Sequence, residues 1–519
     1  MRTSNRDHEG DQIVADSPSG PVHGVVSSGV VRFSGIPYAE APVGPLRFMS
    51  PQAVAPWTTP LDASRPGPIG VQAPVPGAFA TLVESEGIPG AGLLNLNIWT
   101  PGVDDRRRPV IIWIHGGGFA AGAGSDSIYD GSAFARDGVV FVTFNYRLGI
   151  EGFLYLSEAF PGTPSTGSQG VEDQAAALAW VHANIAAFGG DPDNITVAGQ
   201  SAGAYSVATL LGLPMSRMLI RRAILQSGAA DKVISRATAA FAASQFLDVV
   251  GEAGRSLESL QALPAQELFA AQSALIRRHL QTRDDPAWED LRNKSGILRP
   301  VWGTPFLPHP PLEAIEHGAI RDVDLLLGTN ADENQILFVE KNDMFNTDAT
   351  SATLRTVFGA HSEAVWETYS ARREGVAPEL VFGVIEADRT FRIPTIRIAE
   401  AQLAAGGAAP HMYEFAWPST SFGGRMGAFH LSEVPFVFDS LSAERSRRIT
   451  GDGAPQALAD AMHAAWLAFA TSGDPGVPSL PSWPSYDEAH RSVMRFDAEP
   501  TLIDDPLGEE RAVWNGVAL

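Results

Sequence analysis

Short apolar runs of strand length alternate with helical patterns through the first half of the chain, and this alternation constrains the fold most. Runs rich in β-branched and aromatic residues lie at 110–114 and 139–144. A helical pattern follows at 171–188, then a strand pattern at 195–198 and a helical one at 202–211. Strands separated by crossover helices pair in parallel, in a sheet covered on both faces. The sequence therefore predicts an α/β fold with a large, mostly parallel sheet flanked by helices.

The rest of the chain fits the same sheet. Further strands are predicted at 22–33, 94–100, 222–226, 323–327 and 412–415, with a helix at 457–471 and a turn-rich tail over 478–496. The stretch from about 235 to 310 is mostly helical in pattern, which predicts a helical insertion over the sheet. Because neither a repeat nor a long linker interrupts the chain, we expect residues 1–519 to form a single domain.

Composition excludes several classes of function. The 37 basic and 59 acidic residues give a net charge of −22 without a basic stripe, which argues against a nucleic-acid partner. The chain has no cysteine, so disulfides, thiolate metal sites and cysteine nucleophiles are excluded. The apolar runs are far shorter than the roughly 18 residues that span a bilayer, and no signal peptide is visible. We therefore expect a cytoplasmic protein without a membrane partner and favour a monomer.

The strongest local motif is Gly199-Gln200-Ser201-Ala202-Gly203, a G-x-S-x-G sequence between a predicted strand and a predicted helix. Small residues on both sides of the serine permit a sharp strand-to-helix turn that exposes its Oγ. The start of the helix directs N–H groups at the same point. The same G-x-S-x-G sequence also occurs where a serine lies in an ordinary tight turn, but the strand–turn–helix context favours a nucleophile.

A second motif, His115-Gly116-Gly117-Gly118-Phe119, follows the apolar strand at 110–114. Consecutive glycines let backbone N–H groups approach a developing oxyanion closely. A phosphate-binding loop would need Lys-Ser or Lys-Thr after the glycines, and the chain has none there. Together with G-x-S-x-G, the motif is typical of a lipase or esterase oxyanion hole. We expect His115 itself to be part of the hydrogen-bonded scaffold.

A serine nucleophile requires a base and an acid that orients the base. The chain has 12 histidines, so composition selects none of them. His430 lies in a late loop after a strand, where a base is expected, whereas His463 lies inside a predicted helix and is expected to be structural. Asp332 and Glu333 lie just past the strand at 323–327, and the residues alone leave the acid open.

Longer stretches resemble the type B carboxylesterase family of α/β hydrolases, which includes bacterial p-nitrobenzyl-type esterases, animal carboxylesterases and cholinesterases. The resemblance covers roughly residues 20–500 and is closest in character to the bacterial p-nitrobenzyl-type enzymes. Four runs carry it: F-S-G-I-P-Y-A at 33–39, N-Y-R-L-G at 145–149, F-G-G-D-P-D-N-I-T-V-A-G-Q-S-A-G at 188–203 and W-P-S-Y-D at 483–487.

The resemblance implies a triad of Ser201 as nucleophile, His430 as base and Glu333 as acid. Glu333 is chosen over Asp332 because the glutamate of the family's D-E-G pattern is the triad member, although Asn334 here replaces the glycine. Glu433 also matches the family and is expected to be structural. Three backbone N–H groups would form the oxyanion hole, those of Gly117, Gly118 and Ala202.

The family pattern also implies contacts that depend on other residues. It pairs Arg147 with Asp173 in a buried ion pair. The acidic partner that commonly binds Arg47 is missing, and Gln200 replaces the glutamate that usually precedes the serine. Gln200 is therefore a candidate substrate-binding residue. Two aromatic residues are further candidates for the substrate pocket, Phe422 and Phe429.

The function implied is that of a serine carboxylesterase that hydrolyses neutral, apolar esters of small molecules through an acyl-enzyme. No metal and no organic cofactor are implied. Thioester, lactone or amide hydrolysis by the same residues is the main alternative. A non-catalytic binding protein, as some relatives of the family are, is disfavoured because all three triad positions are intact.

Overall fold

The computed structural model describes residues 12–72, 82, 85–282, 285–291, 296–335 and 354–517. The strands are β1 (Gln12–Ser17), β2 (Gly20–Ser27), β3 (Val30–Pro37), β4 (Leu61–Asp62), β5 (Asn95–Thr100), β6 (Arg108–Ile114), β7 (Val140–Phe144), β8 (Gly190–Gln200), β9 (Arg222–Gln226), β10 (Ile234–Ser235), β11 (Val301–Trp302), β12 (Asp324–Asn330), β13 (His411–Phe415), β14 (Ser492–Phe496) and β15 (Thr501–Asp504).

The α-helices are α1 (Ser132–Arg136), α2 (Gly149–Phe153), α3 (Gln169–Asn184), α4 (Ala202–Leu211), α5 (Pro214–Arg217), α6 (Arg236–Val250), α7 (Leu257–Gln261), α8 (Ala265–Thr282), α9 (Pro311–Glu316), α10 (Ser362–Ala371), α11 (Pro378–Ala387), α12 (Ile393–Ala404), α13 (Val434–Val437), α14 (Glu444–Thr450), α15 (Gln456–Ser472) and α16 (Gly508–Ala512). A π-helical turn at Asp388–Arg392 joins α11 to α12.

In the described part of the chain, thirteen strands form one sheet, in the order β1-β2-β3-β5-β7-β6-β8-β9-β12-β13-β14-β15, with β4 beside β2. The seven strands from β7 to β14 in this order are all parallel. Towards both edges the strands pair antiparallel, except that β4 is parallel to β2. Inner strands such as β7 are buried along their whole length, as expected where helices cover both faces. The predicted α/β fold class is confirmed.

Two of the predicted segments differ in detail. The predicted strand at 22–33 is a hairpin of β2 and β3, because Ser28 and Gly29 both have positive φ, 51° and 79°. Two such residues form the tight turn that reverses a chain between antiparallel strands. The tail predicted to be turn-rich ends in β14, which pairs with β13.

The segment from 235 to 310 contains α6, α7, α8 and the short parallel pair β10–β11. Residues 283–284 and 292–295 of it lie outside the described residues. The single-domain organisation and the helical insertion stay predictions.

The carboxyl ends of the parallel strands determine where a site can form. β6 runs into the glycine motif, β8 into Ser201, β12 into the loop of Glu333 and β13 into the loop of His430. Because parallel strands end at the same edge of a sheet, these four loops meet there. Ligands of open α/β sheets bind at this edge.

Candidate active site

Ser201 lies in a strained turn between β8 and α4. Its φ is 56° and its ψ is −124°, values that a residue with a side chain rarely adopts. Its N–H donates to the carbonyl oxygen of Gln226 on β9 at 2.9 Å, which fixes the turn to the sheet. Such a backbone costs about 1–3 kcal/mol and persists only where its surroundings enforce it. This is the geometry of a nucleophile elbow.

The two glycines of the G-x-S-x-G motif allow α4 to begin very close to the sheet. A β-carbon on Gly199 would lie 2.5 Å from the carbonyl carbon of Gly203. A β-carbon on Gly203 would lie 1.9 Å from the carbonyl oxygen of Ile114 at the end of β6. Both distances are far below van der Waals contact, so a side chain at either position would push the helix away from the sheet. The close packing of α4 on the sheet therefore requires glycine at both positions of the motif.

The glycine loop lies beside the serine. A β-carbon on Gly116 would be 3.1 Å from the β-carbon of Ser201, and Gly117 and Gly118 have φ of 111° and 63°. Among the backbone hydrogen bonds of the described residues outside regular elements, none uses the N–H of Gly117 or Gly118 as a donor. Ala202 is the first residue of α4, whose N–H has no carbonyl partner one turn earlier in the helix. These N–H groups suit an oxyanion.

His430 and Glu333 form a short contact. Nδ1 of His430 is 2.6 Å from Oε2 of Glu333, and the N–H of His430 donates to the carbonyl oxygen of Glu333 at 3.2 Å. Glu333 is 2% exposed, and its Oε1 accepts from the N–H of Asn330 at 2.8 Å. Asp332 accepts instead from the N–H of Ala428 at 2.9 Å. The structure thus places Glu333, and not Asp332, against the imidazole.

The surroundings of His430 favour its charged form. Burial by itself lowers the pKa of the imidazole, but the charge of Glu333, the hydrogen bond to Glu333 and the charge of Glu433 raise it. The net pKa lies above the usual value for histidine. An imidazole whose charged form is stabilised in this way accepts a proton more readily than an isolated imidazole, which is what a general base requires.

Asn330 connects the two buried glutamates and is a residue that sequence reasoning missed. Its side-chain amide donates to Oε2 of Glu433 at 2.7 Å and to the carbonyl oxygen of Phe429 at 2.8 Å. Glu433 also accepts from Gln226 at 3.2 Å. Burial and the charge of Glu333 raise the pKa of Glu433 to about 7. An amide at the end of a strand, just before two acidic residues, is the sequence signal that could have identified Asn330.

Several of the predicted site residues line the same cavity, which has a volume of about 310 Å³. Ser201, His430, Gly117, Gly118 and Gln200 all line it. The side-chain nitrogen of Gln200 lies 3.3 Å from Nε2 of His430, the imidazole nitrogen that does not face Glu333.

The two aromatic candidates are placed elsewhere. Phe429 is 0% exposed and belongs to a hydrophobic core cluster, and Phe422 packs against the same cluster. Neither is among the residues that line the cavity. Phe429 turns inward from the loop that presents His430, and a substrate contact of either residue stays a prediction.

Two other histidines have the structural surroundings expected of them. His115 donates from Nδ1 to the carbonyl oxygen of Gly116 at 2.8 Å and stacks on Tyr146, and burial lowers its pKa to about 4. His463 contacts the carbonyl oxygen of Val437 at 2.7 Å and a carboxylate oxygen of Asp137 at 3.1 Å. Neither lines the cavity.

Arg47 has a different partner from the one that the family pattern suggests. Its Nε lies 2.9 Å from Oε1 of Glu151 in α2, and its Nη1 donates to the carbonyl oxygens of Gln261 and Leu263. A carboxylate from α2 therefore takes the place of the usual acidic residue.

The chain belongs to the carboxylesterase family, whose model matches residues 11–514. It is 35% identical to the para-nitrobenzyl esterase of Bacillus subtilis strain 168 over 95% of this chain and 96% of that protein. It is 32% identical to the phenmedipham hydrolase of Pseudarthrobacter oxydans over 89% of this chain and 90% of that protein. A solved carboxylesterase from Geobacillus stearothermophilus aligns with a TM-score of 0.85 at 36% identity, covering 96% of this chain and 99% of that one.

Family, fold and relatives agree with the prediction from the motifs. The protein is a carboxylic ester hydrolase of the α/β-hydrolase fold that acts on small ester substrates, and a serine esterase mechanism is the one expected of its family. Among the described residues no helix is long and apolar enough to cross a membrane, and no group of three or more His, Asp or Glu is arranged to hold a metal ion.

Proposed function

We propose that the protein hydrolyses neutral carboxylic esters through an acyl-enzyme formed on Ser201, with His430 as base and Glu333 as acid. One observation carries the proposal. The strained serine, the glutamate-bound histidine and the glycine N–H groups of the oxyanion loop border the same cavity.

In the acylation step, Nε2 of His430 removes the proton of Ser201 Oγ as that oxygen attacks the ester carbonyl. Negative charge moves to the carbonyl oxygen, and the N–H groups of Gly117, Gly118 and Ala202 stabilise it. Loss of one such donor typically costs about 10²–10³ in rate. The protonated His430, held by Glu333, then gives its proton to the departing alcohol.

Deacylation repeats the same steps with water. His430 takes a proton from water, which attacks the acyl carbon, and Ser201 leaves with the proton returned by His430. Because Nδ1 of His430 faces Glu333 at 2.6 Å, the imidazole keeps Nε2 toward the cavity through both half-reactions.

The cavity supports a preference for neutral esters. Gln200 supplies an amide where most of the family has a carboxylate, and Ile128 and Leu431 are apolar parts of the lining. The names of two relatives point to p-nitrobenzyl esters and to phenmedipham, so p-nitrobenzyl esters and phenmedipham itself are suitable first substrates. A monomeric state and a cytoplasmic location stay predictions, which light scattering and cell fractionation test.

The decisive experiment combines p-nitrophenyl butyrate hydrolysis with labelling by a fluorophosphonate. We expect the wild type to hydrolyse the ester and to take up one label, and Ser201→Ala to lose the label and at least about 10³-fold in kcat. Ser244→Ala changes an exposed serine hydroxyl and is the matched control. Labelling or substantial turnover in a folded Ser201→Ala protein would refute the assignment. Thioester, lactone and amide analogues, tested in parallel, show whether the ester is the preferred acyl donor.

A further inference from the structure

Leu431, the residue that follows His430, has a strained backbone. Among the non-glycine residues that have positive φ in the described part of the chain, Leu431 has the largest value, 89°, and all the others lie between 41° and 65°. At a positive φ the β-carbon is crowded by its own backbone, so glycine is the usual residue at such positions. A leucine there carries an energetic penalty that its surroundings must offset.

The turn around Leu431 is fixed by hydrogen bonds to one carbonyl oxygen, that of Phe429. The N–H of Ser432 donates to it at 3.0 Å, the hydroxyl of Ser432 at 2.7 Å and the side-chain amide of Asn330 at 2.8 Å. His430 and Leu431 are therefore the two central residues of a β-turn whose third residue has positive φ, where glycine is preferred. None of these bonds uses the leucine side chain, so a glycine would form the same turn with less strain.

The leucine does contribute to the wall of the active-site cavity. Leu431 lines the cavity and is 8% exposed. Much of the remaining lining has little or no side chain, since it includes Ala121 and the glycines at 116–118 and 122. The volume of about 310 Å³ lies at the small end of the range for small-molecule sites. In a cavity of this size, the four side-chain carbons of a leucine exclude a substantial part of a ligand.

The proposed mechanism indicates which part of the substrate meets Leu431. His430 gives its proton to the departing alcohol, so the alcohol oxygen must lie within hydrogen-bond distance of Nε2. The carbonyl oxygen lies instead at the N–H groups of Gly117 and Gly118. Because Leu431 is joined directly to His430 and lines the same cavity, its side chain lies beside the alcohol group.

We propose that Leu431 is a specificity-determining residue whose side chain limits the bulk of the alcohol group of the ester. This inference rests on the proposed function, because it needs the reacting carbonyl at Ser201 and the alcohol oxygen at His430. The substrate class is esters of short-chain or single-ring alcohols, and a fused-ring alcohol group meets the leucine. The strained backbone persists because the position carries an apolar side chain that the turn itself does not require.

The test compares bulk on the two sides of one reference ester, ethyl butyrate, with acid release followed in a pH-stat. The alcohol ratio is kcat/KM for 2-naphthylmethyl butyrate divided by kcat/KM for ethyl butyrate. The acyl ratio uses ethyl 2-naphthylacetate in the numerator instead. Leu431→Gly should raise the alcohol ratio by about tenfold over the wild type, as expected when an apolar pocket gains room, and leave the acyl ratio unchanged. Each ratio is compared between proteins, so the intrinsic reactivity of the esters cancels.

Two further variants separate space from backbone strain. Leu431→Ala also opens the cavity and should raise the alcohol ratio, but it keeps a β-carbon at positive φ, so it should melt no higher than Leu431→Gly. Leu507→Gly is the matched control, because Leu507 also has a positive φ, 57°, and does not line the cavity. It should keep both wild-type ratios.

An alcohol ratio that stays at the wild-type value in both Leu431 variants, or a rise in the acyl ratio alone, overturns the inference. A Leu431→Gly protein that melts below Leu431→Ala, or does not fold, would show that the position does not favour glycine and would overturn it as well. Hydrolysis of ethyl butyrate by Ser201→Ala at the wild-type rate would instead refute the proposed function.

Discussion

Arg147 and Asp173 form a two-point ion pair that is closed to solvent. Nε of Arg147 lies 2.8 Å from Oδ2 of Asp173 and Nη2 lies 2.7 Å from Oδ1, and the two side chains are 1% and 0% exposed. The backbone N–H of Arg147 donates to the same carboxylate at 3.0 Å. The pair joins the end of β7 to α3, and the pairing implied by the family motifs is confirmed.

Removing one member of this pair should destabilise the fold strongly. Asp173→Asn leaves the Arg147 charge buried without a counter-charge, and we expect the free energy of unfolding to fall by about 3–5 kcal/mol. Glu444→Gln removes one partner of the exposed Arg448 pair and should cost less than about 1 kcal/mol. Melting temperatures measured at one scan rate compare the two. An Asp173→Asn protein that melts with the wild type would contradict the argument.

His430 and His463 should respond oppositely to alanine. His430→Ala removes the proposed base, so kcat/KM for p-nitrophenyl butyrate should fall about as far as in Ser201→Ala, with the circular dichroism spectrum unchanged. His463→Ala removes two hydrogen bonds of a buried side chain, so it should lower the free energy of unfolding by about 1–3 kcal/mol and leave kcat/KM largely intact. If the two outcomes were exchanged, the base would be His463.

The pH dependence of kcat/KM should report the pKa of His430. In the proposed mechanism the neutral imidazole is the base, so activity should rise with pH as the imidazole loses its proton. Because Glu333 and Glu433 raise this pKa against the opposing effect of burial, the midpoint should lie above the ordinary histidine value of about 6.5.

Replacing either carboxylate by its amide tests the cause of that shift. Glu333→Gln should move the midpoint to lower pH, since burial then dominates the pKa of His430. It should also lower the high-pH plateau of kcat/KM by about 10³–10⁴-fold, because the imidazole loses the acid proposed to orient it. Glu433→Gln should move the midpoint in the same direction by less and keep most of the plateau. A midpoint unchanged in both variants would mean that the titrating group is not His430.

The sequence predicts those parts of the site that local chain geometry enforces. The elbow at Ser201 and the oxyanion loop are such parts, because each is a run of small residues at a strand end. The choice of Glu333 over Asp332 required the family resemblance, since two adjacent loop carboxylates have no local signal that separates them.

The remaining features depend on contacts between distant segments. Glu151 of α2 lies far from Arg47 in sequence but contacts it in the fold, in place of the expected partner. Arg445 lines the cavity from α14, which follows His430 in the chain. Phe429 illustrates the limit most clearly. It is adjacent to His430 in sequence, yet it faces the core, and the direction of a loop side chain is not encoded in its neighbours.

The contact between Gln200 and His430 leads to the last prediction. In relatives that favour cationic alcohols, a carboxylate beside the serine adds negative potential at the alcohol site. A unit charge about 5 Å away at an effective dielectric of 20 interacts by about 3 kcal/mol, an upper value before desolvation. Gln200 keeps a hydrogen-bonding group 3.3 Å from Nε2 of His430 but has no charge. The wild type should therefore hydrolyse 3,3-dimethylbutyl butyrate better than butyrylcholine.

Gln200→Glu should raise kcat/KM for butyrylcholine relative to the neutral isostere by about tenfold, which corresponds to slightly less than half of that upper value. The same variant places a carboxylate beside His430, so the midpoint of its pH profile should move to higher pH. Gln456→Glu makes the same charge change at an exposed helix position and should alter neither quantity, since salt screens charges beyond about 8–10 Å. A wild type that prefers the cationic ester would contradict the argument from Gln200. A raised midpoint with an unchanged substrate ratio would show that Gln200 faces the base and not the alcohol.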